Sequence, residues 1–108
     1  DVIGHAELTI GSARLMLADE FPKQGILSPE SLGGAGFSMV LYVEDVDAST
    51  ARAEGAGATV EKAPADQFHG DRQSWVKDPF GHRWSLSTRV HSYSSEEIIE
   101  RFKAVCPG

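Results

Sequence analysis

Alternating apolar and polar positions dominate residues 71–90. Two runs, 72–77 and 83–90, flank Asp78-Pro79-Phe80-Gly81. Pro79 pre-sets φ for the first central turn position, and Gly81 tolerates positive φ where the chain re-enters a strand, so the pattern predicts a β-hairpin. Successive side chains of a strand point to opposite faces. Val76, Trp84 and Leu86 therefore fall on one side, and Gln73, Trp75, Arg83, Ser85 and Ser87 on the other. The first side reads as core. The second reads as a wall polar enough to hold arginine and apolar enough to hold tryptophan.

Residues 5–10 alternate in the same way, with Ala6, Leu8 and Ile10 opposite His5, Glu7 and Thr9. Gly11-Ser12 turns the chain, and residues 14–18 return with Leu15 and Leu17 opposite Arg14, Met16 and Ala18, which predicts a second hairpin. Residues 19–36 hold two prolines, four glycines and no clear apolar period, so they read as a long loop. Phe21, Ile26, Leu27 and Leu32 are too apolar for a free tether, and the loop should pack on the body or on a partner chain. Residues 37–43 form a third strand. Asp45 or Asp47 then caps a helix running to about Glu54, stopped by Gly55 and Gly57. Residues 58–63 are strand again, bent out by Pro64, and 65–70 are loop. Ser94 and Ser95 before Glu96 and Glu97 mark a last helix, with Ile98, Ile99, Phe102 and Val105 as its apolar stripe and Pro107 as its stop.

Composition narrows the function classes. A chain of 108 residues is one domain or slightly less, and its 41% hydrophobic and 24% charged fractions suit a globular protein. A net charge of −6, without any basic cluster, argues against nucleic acid. No apolar run approaches the roughly 18 residues of a membrane span, and a cytoplasmic setting is expected. The one cysteine, Cys106, rules out an intramolecular disulfide and reads as an incidental thiol in a frayed tail. The chain opens almost directly on a strand, with neither initiator Met nor signal-like segment. That fits a processed protein or a fragment whose upstream part is missing.

The order β-α-β-β-β from residue 37 to 90, with its linking words, resembles the vicinal oxygen chelate superfamily of glyoxalases, bleomycin-resistance proteins and extradiol dioxygenases. The words are Tyr42-Val-Glu-Asp-Val-Asp-Ala48, Glu54-Gly-Ala-Gly-Ala58 and Asp78-Pro-Phe-Gly-His-Arg-Trp84. His5-Ala-Glu-Leu-Thr-Ile-Gly and Arg14-Leu-Met-Leu-Ala-Asp19 look like its glyoxalase-like, bleomycin-resistance-like branch. The resemblance implies an α+β fold in which paired βαβββ modules form a cup-shaped curved sheet around a ligand. Residues 1–20 would be the closing hairpin of a first module lacking its opening β-α-β. Residues 21–36 would link the modules, 37–90 would be the complete second module, and 91–108 a helical tail. Metal enzymes of the family carry ligands on inward strand positions. Three of these fall on Met16, Ser38 and Ser85, and a thioether with two neutral hydroxyls is a poor donor set for zinc, nickel or ferrous iron.

Within that frame, Tyr42, Gln73, Trp75 and Arg83 fall on the inward face with Ser38, Val40, Ser85 and Ser87. Aromatic walls with a few polar groups suit a small-molecule pocket. Trp75 can stack a planar ligand and Arg83 can hold an anionic or carbonyl group, while the plainer alternative is an arginine lying along an exposed tryptophan. His5 and Glu7, two apart on one strand, are either polar anchors from the other module or a solvated face. His69 at the cup's mouth could serve as acid or base, but reads first as an exposed loop residue. No Gly-x-Ser-x-Gly surrounds Ser12, Ser38 or Ser85, and Gly33-Gly-Ala-Gly36 precedes a strand rather than a helix, so neither a serine nucleophile nor a phosphate loop is supported. The expected function is ligand sequestration without metal or other cofactor, by a homodimer that meets neither nucleic acid nor membrane. The catalytic residues stay unknown. The alternatives are a metal-dependent lyase, isomerase or dioxygenase using His5, Glu7 and His69, and an interaction module with an empty cup.

Overall fold

In a computed structural model, residues 2–105 are described. Their order is β1 (Ala6–Ile10), β2 (Ala13–Leu17), a 3₁₀ turn at Pro22–Gln24, α1 (Pro29–Leu32), β3 (Ser38–Tyr42), α2 (Val46–Gly55), β4 (Thr59–Asp66), β5 (Asp71–Lys77), β6 (Arg83–Arg89) and α3 (Ser95–Val105). Cys106 and Pro107 lie outside the described residues, so the expectations placed on them are not met by any structural observation. No helix among the described residues is long and apolar enough to cross a membrane.

The strands form two sheets. β1 and β2 make a two-stranded antiparallel hairpin, with Glu7 opposite Met16 and Leu8 opposite Leu15. The other four run in the order β3-β6-β5-β4, parallel between β3 and β6 and antiparallel elsewhere. Helix α2 carries the chain from one edge of that sheet to the other, and the β5–β6 hairpin fills the gap. This is the βαβββ unit that the sequence predicts, in a mixed α+β fold.

One face of the unit is closed by α2. Asp45 caps the helix, its carboxylate accepting from the Ala48 N–H at 3.1 Å. Val46 then meets Val76 and Leu86 in the core, with Leu41, Val43, Ala53, Val60 and Trp84 packed around them. Each fully buried side chain of this size contributes about 1.5–3 kcal/mol. Thr50 donates to the Val46 carbonyl and shares a 2.7 Å hydrogen bond with Ser74, so the polar atoms under the helix are satisfied.

The β5–β6 turn shows why its residues suit it. One Asp78 oxygen accepts from the Phe80 and His82 N–H groups at 2.9 and 3.0 Å, and the other accepts from the Trp84 indole at 3.1 Å. Gly81 sits at φ 92°, and a side chain there would press on Pro29 of α1. The turn is thus tied to the core through Trp84 and to the preceding loop through Gly81.

Three expected boundaries change. β4 does not leave the sheet at Pro64 but continues to Asp66, shortening the expected loop to its last few residues. β4 is an edge strand with register shifts on either side of Lys62, and a proline without an N–H is tolerated at such a place. The loop of residues 19–36 is not structureless, since it contains the 3₁₀ turn and α1. Ser28 caps α1 and Glu20 accepts from Ser28 and Ser31. Helix α2 includes Gly55 as its last residue and is capped by Ala56.

Helix α3 opens on a capping box: Ser94 accepts from the Glu97 N–H at 3.1 Å while Glu97 accepts from the Ser94 N–H at 3.0 Å. It docks on the loop before β5, where Arg101 donates to the Phe68 carbonyl and Phe102 lies 5.4 Å from the Phe68 ring. The β1–β2 hairpin stands apart from all of this. Its Ile3 and Asp19 ends are stitched together, but neither strand packs closely against a strand or helix of the four-stranded unit. The radius of gyration is 16.6 Å, where a compact chain of this length has about 13 Å.

Candidate functional site

The candidate residues of the second unit share the sheet face opposite α2. Antiparallel pairing sets Gln73 beside Ser87, Trp75 beside Ser85 and Lys77 beside Arg83. Parallel pairing adds Ser38 beside Arg83, Val40 beside Ser85 and Tyr42 beside Ser87. Directly paired residues point to the same face, so Ser38, Tyr42, Gln73, Trp75, Arg83 and Ser85 form one surface.

Its centre is a strip of short polar side chains. Ser85 and Ser87 are fully buried, although no helix covers them. Gln73 lies across the strip and donates to both hydroxyls, and the two serines are 3.3 Å apart. At one end Trp75 is half-buried. The Arg83 guanidinium sits 5.6 Å from its ring centroid and donates to Glu61 at 2.8 Å. The arginine does lie along the tryptophan, as the plainer sequence alternative had it, and it is already paired with an acid.

The other end holds residues that were not candidates in the sequence. Asp71 is buried at 4% exposure. It accepts from the Tyr42 hydroxyl at 2.6 Å and from the Arg89 Nε, and the His69 ring lies 3.9 Å away. Arg89 also donates to the Tyr42 hydroxyl at 3.3 Å and stands 5.8 Å from that ring. Burial pushes the Asp71 carboxyl up. The Tyr42 and Arg89 hydrogen bonds, with the Arg89 charge, outweigh it and hold the group below its ordinary value. His69 is therefore not a freely exposed loop residue: it is half-buried and turned toward Asp71. The signal for Asp71 and Arg89 was present. Asp71 has the parity of Gln73 and Trp75, and Arg89 that of Ser85 and Ser87.

His5 and Glu7 do not join this surface. They pair with each other at 2.9 Å, and Glu7 reaches Arg14 at 3.5 Å. Among the described residues, no hydrogen bond or ion pair links His5 or Glu7 to the four-stranded unit. The proposed metal positions fit a cation poorly. Met16 is 62% exposed on the hairpin, and the Ser85 hydroxyl is occupied by Gln73 and Ser87. Among the described residues no three His, Cys, Asp or Glu side chains gather as a metal site, which includes the set His5, Glu7 and His69.

Among the described residues, an apolar cleft lies apart from the surface that the sequence pointed to. A cleft of about 490 Å³ opens between the hairpin and the sheet edge, lined by Leu8, Leu15, Met16, Phe37, Met39 and Trp84 among others. Met39 and Trp84 belong to the α2 side of the sheet, so Tyr42, Gln73, Trp75 and Arg83 form an open face rather than the wall of this cleft.

Comparison with known proteins decides the family. The sequence pattern of the Glyoxalase/Bleomycin resistance protein/Dioxygenase superfamily matches residues 1–86. The chain belongs to this superfamily. A Mycobacterium bovis relative, described as an uncharacterized protein, is 45% identical over 97 residues, covering 87% of this chain and 64% of its own. The chain thus spans less than two thirds of the curated relatives it matches. The solved structure of protein PA1353 from Pseudomonas aeruginosa is 29% identical, with a TM-score of 0.61 over 82% of this chain and 65% of that one. A superfamily member from Sphaerobacter thermophilus shares the fold at a TM-score of 0.60 and 22% identity, over 78% of this chain and 66% of that one.

Proposed function

We propose that this superfamily member binds a small, planar, partly polar molecule on the face of Tyr42, Gln73, Trp75 and Arg83, without a metal ion. Ser38 and Ser85 would complete the surface, and His5 and Glu7 would close it from a hairpin, either their own or that of a second copy in a homodimer. The observation that carries this reading is Trp75. A large aromatic ring lies half-buried on a sheet face with no core above it, beside a hydrogen-bonding strip and under a guanidinium. A flat ligand gains dispersion and apolar burial on the indole, while the Gln73 and Arg83 donors orient its polar edge.

Trp75 and Trp84 are the two tryptophans, so ligand entry is read directly by fluorescence. Titration with naphthalene and quinoline carboxylates should quench Trp75 saturably. Trp75→Ala should weaken binding about tenfold, or 1.4 kcal/mol, by calorimetry. Unchanged affinity in that variant, or binding that requires a stoichiometric metal ion, overturns the reading. Light scattering across concentrations tests the homodimer, which a monomer at all concentrations would exclude.

A further inference from the structure

The ligand face is built as two like stations. At one, Arg83 stands 5.6 Å from the Trp75 ring with its Nε bound to Glu61. At the other, Arg89 stands 5.8 Å from the Tyr42 ring with its Nε bound to Asp71. Between them lies the Gln73, Ser85 and Ser87 strip. Arg89 lies four residues along β6 from Ser85, the partner of Trp75, and one strand across from Trp75, which separates the two positions by about 14 Å at the backbone.

The stations differ in their acids. The Glu61 side chain is 31% exposed, whereas that of Asp71 is buried. A carboxylate taken out of water must be held by hydrogen bonds, and its partners are held in return. The Arg89 guanidinium is therefore oriented from beneath, by Asp71 through Nε and by the Tyr42 hydroxyl at Nη2. A guanidinium has five N–H donors. Two of those of Arg89 are used among the described residues, and Nη1 makes no hydrogen bond there in a side chain that is about half exposed. Nη1 and the second N–H of Nη2 together form the end-on fork that takes a carboxylate by two parallel bonds.

We propose that Arg89, positioned by Asp71, is a second anchor that selects ligands carrying an anionic group about 14 Å from the flat end stacked on Trp75. This rests on the ligand-binding reading above and adds the chemical class: a two-ended molecule, planar at one end and carboxylated at the other. Asp71 acts through Arg89 and is a positioning residue.

The test uses a matched pair of probes, a naphthyl-alkyl carboxylic acid long enough to span the stations and its primary carboxamide. Calorimetry compares them on the 108-residue chain, Arg89→Gln, Arg89→Lys and the exposed control Arg52→Gln on α2. The wild type and the control should prefer the acid by about tenfold. Arg89→Gln should bind both probes equally, near the affinity of the amide for wild type, and Arg89→Lys should keep only part of the preference. Circular dichroism of each variant separates loss of selectivity from loss of fold. Equal wild-type affinity for acid and amide, with both still dependent on Trp75, overturns the Arg89 assignment and leaves the Trp75 reading standing. So does a preference that survives in folded Arg89→Gln. If Arg89→Gln does not fold, the preference in Arg89→Lys decides: a full one overturns the proposal. Binding of neither probe to wild type overturns both.

Discussion

The β1–β2 hairpin and the β3–β6 sheet are written in the same alternating pattern, but only the sheet has a helix to bury its apolar side against. Val76 and Leu86 lie under α2 at 3% and 6% exposure. Leu8 and Leu17, which hold the equivalent place on the hairpin, remain 51% and 41% exposed. Alternation thus decides which side chains share a face, and a packed neighbour decides whether that face contributes stability. A two-stranded hairpin by itself is marginal in water. The largest expected difference follows. Leu86→Ala should cost about 2–4 kcal/mol of unfolding free energy by urea titration, and Leu8→Ala less than about 1 kcal/mol. Native-state hydrogen exchange should likewise find β1 and β2 amides opening with far less free energy than those of β5 and β6. Equal costs at Leu8 and Leu86 would mean that the hairpin is packed in solution, by a second copy or by the cleft closing.

The two hairpin turns sharpen the same contrast. Gly11 takes φ 60° and Ser12 does not take a positive φ, a two-residue turn of the kind that matches strand twist by backbone shape alone. The β5–β6 turn is instead organised by one carboxylate that gathers two backbone N–H groups and the Trp84 indole. Asp78→Ala leaves those donors short of an acceptor beside the core and should cost about 2 kcal/mol, whereas Ser12→Ala should stay within about 0.5 kcal/mol. A cost below about 0.5 kcal/mol for Asp78→Ala would show that water replaces the carboxylate and that the turn is held by Pro79 and Gly81 alone.

What the sequence conveyed follows the same division between local and distant causes. The faces of residues 72–89, a helix cap at Asp45 or Asp47 and the capping signature at Ser94 to Glu97 are set by neighbours within one turn or one strand. All were legible from pattern. Pro64 misled because proline is a breaker only where its missing N–H is needed, and edge position depends on the whole strand order. Asp71 and Arg89 were not singled out. Their grouping depends on Tyr42, which is 29 residues from Asp71 and meets it only through the parallel pairing of β3 with β6. The apolar cleft was not legible at all, since it arises from where the hairpin stands relative to Met39 and Trp84.

The smallest effect separates buried from exposed acids within the sheet unit. Asp71 and Asp47 both have carboxyls held below the ordinary value, the first by Tyr42 and Arg89 against a large burial penalty, the second chiefly by its hydrogen bonds from Arg72. A depressed folded value contributes stability that is fully present above the unfolded value of about 4 and is lost as pH falls through the lower folded one. Between pH 7 and 5 the gap in urea midpoint between wild type and Asp71→Asn should therefore be constant, and it should shrink below pH 4. For Asp47→Asn the gap should be smaller at every pH and should fade in 1 M salt, because exposed pairs are screened and buried ones are not. An Asp71 gap that fades in salt as readily as that of Asp47 would show that water reaches the carboxylate. Arg89 would then be held no more firmly than Arg72, which has exposed acids for partners.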